Sequence, residues 1–296
     1  MAPDDPKVLG YAGTCGWPYN RPDYKTDITE VPQMRKFVFA TMMAVMMTIA
    51  AVPVLAQDGT GTAAAIQSPS DMLKESDNLW KKRNISGNAQ KSFDIAEAAL
   101  KAGGDEFEAR WRMARGAFWV AERTSDKKLK ETMGWRGYDE GLKASKLQPG
   151  RVEGYYFGVI SLGQYSIAIG VLKAIGKGVK GKFESMGNKA VAVNPNFDFG
   201  GPDRAMGVYW RDLPKIARDL KKAEAHMKAS IAKGDVKIRS HFYLAEIYLM
   251  TDRREMAKVE LERCSKMDPA AEDYADGIMF KKNCADLLKK EFPAAP

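Results

Sequence analysis

Histidine is nearly absent from this chain, with two copies in 296 residues, and cysteine occurs only three times. That scarcity argues against a histidine-rich metal centre and against a dense disulfide framework. Neither His226 nor His241 has a neighbour at a metal-ligand spacing such as His-Glu-x-x-His. His241 falls on an apolar helical face and reads as structural, whereas His226, between Glu224 and Lys228, reads as solvated. The run Gly176-Lys177-Gly178-Val179-Lys180-Gly181 lacks the Gly-x-x-x-x-Gly-Lys-[Ser/Thr] order of a phosphate loop. No nucleophile–base pair stands out. The expectation is a chain without catalytic residues, metal or cofactor.

What is present is an ordinary globular balance, 45% apolar and 28% charged, which excludes wholesale disorder and a polytopic membrane protein. Residues 34–56 begin with Arg35 and Lys36, continue without charge, and end Val54-Leu55-Ala56 before Gln57. A short basic start, an apolar run and small residues at −3 and −1 predict an export signal cleaved after Ala56. A membrane anchor is the rival reading, weakened by Pro53 and the many Ala and Thr. Such a signal belongs at an N-terminus, so residues 1–33 read as a start-site artefact or a disordered extension. Residues 57–69 are small and polar, a flexible leader, and 70–292 form the folded domain.

Over that domain, strand signals are scarce and helical spacing dominates. Ala89, Phe93, Ala96 and Leu100 line one face of a helix, as do Leu220, Ala223, Met227 and Ile231, and Ile238, Phe242, Ala245 and Leu249. Stops at Gly103-Gly104, Pro149-Gly150, Gly234-Asp235 and Asp268-Pro269 divide the chain into roughly ten helices. Residues 238–271 make a 34-residue unit with Leu244, Ala245, Tyr248, Ala257, Leu261, Cys264 and Pro269 where a tetratricopeptide repeat has its packing residues. Residues 70–103 follow the same scheme, and the helices ending near Pro149 and Pro195 are degenerate, with Gly141 and Gly187 at positions usually large. The predicted fold is all-α, tetratricopeptide-like helix hairpins stacked into an α-solenoid.

Tyr155 to Leu172 carries no charge. Such a helix is a central core element, an interface, or, least fittingly, a membrane span. An apolar ligand cavity fits the first two, lined by Trp111, Phe118, Trp119, Tyr155, Tyr156, Tyr209 and Trp210, although aromatic stripes are more often ordinary core. The net charge is +8, and residues 1–56 contribute five of each sign, so the whole excess belongs to 57–296. Basic residues are spread over every helix and read as a solvated face, with attraction to an acidic partner or anionic headgroups as the alternative; no nucleic acid is expected. Cys264 and Cys284 both lie on apolar helical faces, and two outcomes stay open. A last helix starting at Pro269 would keep them apart, while one starting after Asp276-Gly277 would let them pair.

Gly200-Gly201-Pro202-Asp203-Arg204-Ala205-Met206-Gly207-Val208-Tyr209-Trp210-Arg211-Asp212-Leu213-Pro214 resembles the inter-repeat turn of one family. That family is the T component of the tripartite ATP-independent periplasmic (TRAP) transporters. Tyr209 stands one place off the family pattern, and the helix to Ala232 and residues 280–292 resemble its next repeat and closing helix. The resemblance implies a periplasmic helical-repeat accessory protein, trimeric around a pore, that binds the transporter's solute-binding protein and passes apolar ligands. The chain departs from the family in lacking a lipoprotein cysteine and in carrying the insertion 170–182. A general exported repeat scaffold is the alternative. Read on its own chemistry, Gly200-Gly201-Pro202 is a sharp corner whose glycines permit left-handed angles and whose proline opens the next helix.

Overall fold

Residues 67–271 and 273–293 are described in the computed structural model. The expected artefact 1–33, the signal segment 34–56 and nearly all of the leader 57–69 lie outside the described residues. Within them the chain forms twelve α-helices and no strand. The helices couple in succession: α1 (Pro69–Lys81) with α2 (Asn88–Lys101), then α3 (Glu106–Arg123) with α4 (Lys127–Leu147). The third couple is α5 (Val152–Ile169) with α7 (Val179–Val193), separated by the short α6 (Val171–Gly176). Then come α8 (Phe197–Asp212) with α9 (Leu220–Lys233), and α10 (Ile238–Met250) with α11 (Arg254–Lys266). After a 3-10 turn at Pro269–Ala271, α12 (Tyr274–Glu291) closes the array.

Local chemistry sets the starts. The Ser68, Asp105, Asp126 and Asp219 side chains accept from backbone N–H groups at the beginnings of α1, α3, α4 and α9, satisfying donors that have no partner within the helix. Pro69, in the first turn of α1, presets the helical φ.

The first helices of the couples, α1, α3, α5, α8, α10 and α12, form an inner row, in which most neighbours touch, and the second helices form an outer row. The uncharged α5 is the central helix, packed on α3, α4, α7 and α8. Val159 and Leu162 are fully buried in its core, beside Phe183 of α7 and Met206 of α8. No described helix is long and apolar enough to cross a membrane. Gly141, which departs from the repeat pattern, marks a close approach of α4 to α5: a Cβ there would stand 2.5 Å from the Gly158 Cα. A side chain of usual size at 141 would push α4 off α5.

The corner at Gly200 differs from its expected form. The left-handed stretch begins earlier, with Asp198 (φ 48°), Phe199 (φ 52°) and Gly200 (φ 74°) in succession. Gly201 is not left-handed; it is small because the Tyr156 ring lies over it, with Cζ 2.8 Å from where a Cβ would be. At the C-terminal end, α12 begins at Tyr274, between the two starts weighed above. Its Gly277 packs on Pro269, and Cys264 and Cys284 are joined as a disulfide with Cα atoms 6.0 Å apart.

Candidate functional site

The inner row carries a stripe of charge and aromatic rings. On α3 it is Glu108, Trp111, Arg115, Trp119 and Glu122, spaced three or four residues apart and so aligned on one helical face. Asp77 and Trp80 on α1, with Arg83 just beyond it, add the same chemistry beside it. Trp80 meets Trp119 edge-on at 5.8 Å, and Trp111 stacks on Phe157 at 6.0 Å. Tyr156 bridges Phe157 at 5.1 Å and Phe197 at 5.3 Å. Guanidinium groups cap the rings: Arg83 lies 4.0 Å from the Trp80 centroid and 4.4 Å from that of Trp119, and Arg123 lies 4.0 Å from Trp119.

Ion pairs then join the two ends of the row. Arg83 donates to Asp273, which immediately precedes α12. Glu122 of α3 accepts two bonds of 3.0 Å from Arg239 of α10, whose Nη2 also reaches Asp276 of α12 at 2.5 Å. Burial would raise the Asp276 carboxyl, but Arg239 and Lys237, then Arg123 and Arg83, overcome it and hold it well below the carboxylate range. The Asp198 corner enters the same network. Its carboxylate accepts from the Tyr156 hydroxyl at 2.6 Å and from Arg204, and Lys237 Nζ stands 3.4 Å away. Arg204 also donates to the Asp198 and Phe199 carbonyls, so one buried cation ties down the left-handed turn.

Several basic residues depart from the expected solvated faces. Arg83, Arg115, Arg204, Arg211, Lys237 and Arg239 are buried. His226 also differs from its solvated reading, pairing its Nδ1 with Asp203 at 2.9 Å. His241 is buried, with Glu260 on one ring nitrogen and the Asp235 carbonyl on the other. Among the described residues no group of three or more His, Cys, Asp or Glu is placed to hold a metal ion.

The seven candidate aromatics divide. Trp111, Trp119 and Tyr156 join the inner face. Phe118 is buried on α3, and Tyr155 packs against the α5 core. Tyr209 and Trp210 sit in a separate group, where Tyr209 stacks on Phe183 at 4.5 Å and Trp210 meets the Lys222 ammonium at 4.3 Å. Trp80, Phe157 and Phe197, together with the arginines over them, are additions that the sequence reading lacks. Their signal is the charge-and-ring stripe on α3, which an apolar-periodicity search passes over.

Toward α10 and α12 the inner face is filled: Trp119, Tyr156, Tyr243 and Phe280 are all buried. Near α1 it is not. Asp77, Trp80 and Trp111 are partly exposed and surround the Arg115 guanidinium, which stands 4.7 Å from the Trp80 centroid and 4.8 Å from that of Trp111. This end of the inner face therefore leaves ring surface partly exposed beside a buried cation.

Coupled helices in an inner and an outer row, capped by a final single helix, define a tetratricopeptide-like helical-repeat protein. The chain is similar to a solved structure, a thermophilic TPR protein of Thermus thermophilus. Identity is 20% and the TM-score 0.56, over 75% of this chain and 99% of that chain. At that identity the likeness carries the fold alone. A family model described as Regulator of microtubule dynamics protein 1-3 matches residues 72–199, less than half of the chain. No curated protein matches it.

Proposed function

We propose that this chain is a non-catalytic interaction module of the cell envelope, binding a partner protein through the partly exposed inner face of α1 and α3. One observation carries the reading: the inner face is sealed by its own ion pairs from Trp119 onward, yet it leaves Trp80, Trp111 and Asp77 partly exposed around Arg115. Exposed rings beside a fixed cation are typical of surfaces that anchor a partner. Placement in the periplasm rests on the signal pattern of residues 34–56. The partner is a solute-binding protein of a TRAP-type transporter, a reading that rests on the resemblance of Gly200 to Pro214. The same resemblance supports a trimer, with an apolar ligand as the carried molecule.

The test is retention from periplasmic extract on the immobilised chain, read by mass spectrometry, with Trp111→Ala as the control. Wild type should hold back a solute-binding protein that the variant releases. Equal retention by both, or none by either, overturns the reading. Retention of a different envelope protein, lost with Trp111→Ala, favours the general exported scaffold. Sedimentation of the full chain reads the trimer directly.

A further inference from the structure

The inner helices α3, α5 and α8 run parallel, because their contacts advance in step. Trp111 stacks on Phe157 and the Ser161 hydroxyl donates to the Ala114 carbonyl, while Tyr156 lies over Gly201 and Val159 and Met206 both lie against Gly187. The connections that leave these helices, 124–126, 170–178 and 213–219, therefore share one edge of the array. Each has an exposed aliphatic side chain at or just beyond it: Leu129, Leu172 at 65% exposure and Ile216 at 95%. One such side chain is ordinary on a protein surface, but three along a single edge are not scattered. The connections at the opposite edge, 102–105, 148–151 and 194–196, hold no Leu, Ile or Val. A Cβ at Gly170, Gly176, Gly178 or Gly181 would meet nothing within 4 Å, so the segment around Leu172 stands clear of the packed body.

Charge follows the same edge. No acidic residue occurs between Glu153 and Glu184, a span that holds Lys173, Lys177, Lys180 and Lys182. Lys127, Lys128, Lys173, Lys177 and Lys215 are exposed, with no acidic partner among the described residues. The acids beside them are mostly engaged: Asp126 and Asp219 cap α4 and α9, Asp212 accepts from Arg211, and Glu184 accepts from Lys180 and Tyr209, leaving Glu131 unpaired. A turn or two inside the edge lies a band of rings. Trp135 meets Tyr165 at 5.1 Å and the Lys182 ammonium at 5.5 Å. Phe183, the next residue, stacks on Tyr209, and Trp210 beside it takes the Lys222 ammonium.

We propose that this edge docks on the surface of an anionic phospholipid bilayer, with Leu129, Leu172 and Ile216 entering between the headgroups and the lysines pairing with lipid phosphates. Three features select a bilayer over an acidic protein. The aliphatic side chains project as tips and do not line a groove, and a bilayer accepts such tips without a complementary shape. The cations are mostly lysines, point charges on flexible stems that reach phosphates at many angles. The rings are set back from the tips, at the level where tryptophan and tyrosine favour the headgroup layer. No described helix is long and apolar enough to cross a membrane, so the contact is interfacial. It lies apart from the inner face of α1 and α3 and does not depend on a partner binding there.

Co-sedimentation of the full chain with vesicles of phosphatidylcholine alone, and of an equal mixture of phosphatidylcholine and phosphatidylglycerol, tests it. Binding should be about tenfold or more stronger on the anionic vesicles and should fall at about 0.5 M salt. Leu172→Gln with Ile216→Gln should weaken it about tenfold, and Lys173→Gln with Lys177→Gln by a similar factor. All four side chains are exposed, so melting should not change. Lys146→Gln with Leu147→Gln, an exposed pair at the opposite edge, should bind as wild type does. The apolar stretch 34–56 is common to every variant, and amide exchange gives a local reading that it does not set. On anionic vesicles, exchange should slow in α6 and in 213–219 but not in 148–151, and the Leu172 and Ile216 variant should lose that protection. Unchanged exchange in α6 and 213–219, or protection that survives in that variant, overturns the proposal. Weakening by the lysine pair without weakening by the aliphatic pair also overturns it, and points to an acidic protein surface instead.

Discussion

At Glu246 burial and charge pull in opposite directions. The side chain accepts from Arg211, whose Nε is already held by Asp212 at 2.7 Å. Burial raises the Glu246 carboxyl to about 7, with Arg211 opposing and Asp212 reinforcing the rise. A folded pKa above the unfolded one means that the group's contribution is complete below the ordinary value of 4.5 and is lost as pH climbs through about 7. Glu246→Gln should therefore melt higher than wild type near pH 8 and close to it near pH 5, a difference of about 3 kcal/mol at most. Parallel melting curves across that range would remove the raised carboxyl. Asp276 and Glu122 are the reverse case: burial raises them, but Arg239 outweighs it and holds both low, so their contribution is present at neutral pH and fades in acid. None of this is legible in the sequence. A charged residue at a helical position looks the same whether it faces water or an inner row, and only the closure of the row decides which.

Single elements are easier to read. The apolar spacing of 238–249 and 89–100 marks α10 and α2 because a helix must turn one face to its neighbour, and that face needs no knowledge of the rest of the chain. The corner before α8 is legible in outline through Gly200-Gly201-Pro202, but Asp198 and Phe199 are not, since their left-handed angles are imposed by Arg204 and Tyr156 from a distance. Gly200 and Gly103 separate conformational cost from steric cost. Both have positive φ, but a Cβ at Gly103 meets nothing within 4 Å, whereas at Gly200 it stands 2.5 Å from the Ser230 carbonyl oxygen. Gly103→Ala should cost about 1 kcal/mol in urea unfolding and Gly200→Ala about 3 kcal/mol or more. Equal losses would mean that the α8–α9 contact yields freely. The disulfide acts on one element in the same way. It ties α12 to α11 across a separation of 20 residues, so Cys284→Ser should cost about 3 kcal/mol. Amide exchange should then accelerate in α12 before α10; uniform acceleration along the chain would show that α12 is not the element held.

Across the described residues, the solenoid is bent until Arg83, just after α1, pairs with Asp273, just before α12, and α3 shares ion pairs with α10 and α12. Stacked repeats touch only their neighbours, and stability then adds up locally. Here Glu122 and Arg239 are 117 positions apart and bonded through both oxygens, so the two ends of the stack depend on one another. A buried pair of this kind contributes little beyond well-packed apolar residues, but losing one member strands the other. Glu122→Ala should therefore cost about 3–5 kcal/mol, while replacing Glu122, Arg239 and Asp276, which also rests on Arg239, together with apolar residues should recover most of that loss. The exposed pair Lys282 and Asp286 is the control, because breaking it should change stability by about 0–1 kcal/mol. Small-angle scattering adds a reading that stability alone lacks. With the closing pair broken, the folded fraction of Glu122→Ala should show a larger radius of gyration than wild type, and the triple variant should not. A low cost for Glu122→Ala with an unchanged radius would mean that the ends meet without holding each other, and the partial exposure of Trp80 and Trp111 on the α1 side alone would need another cause.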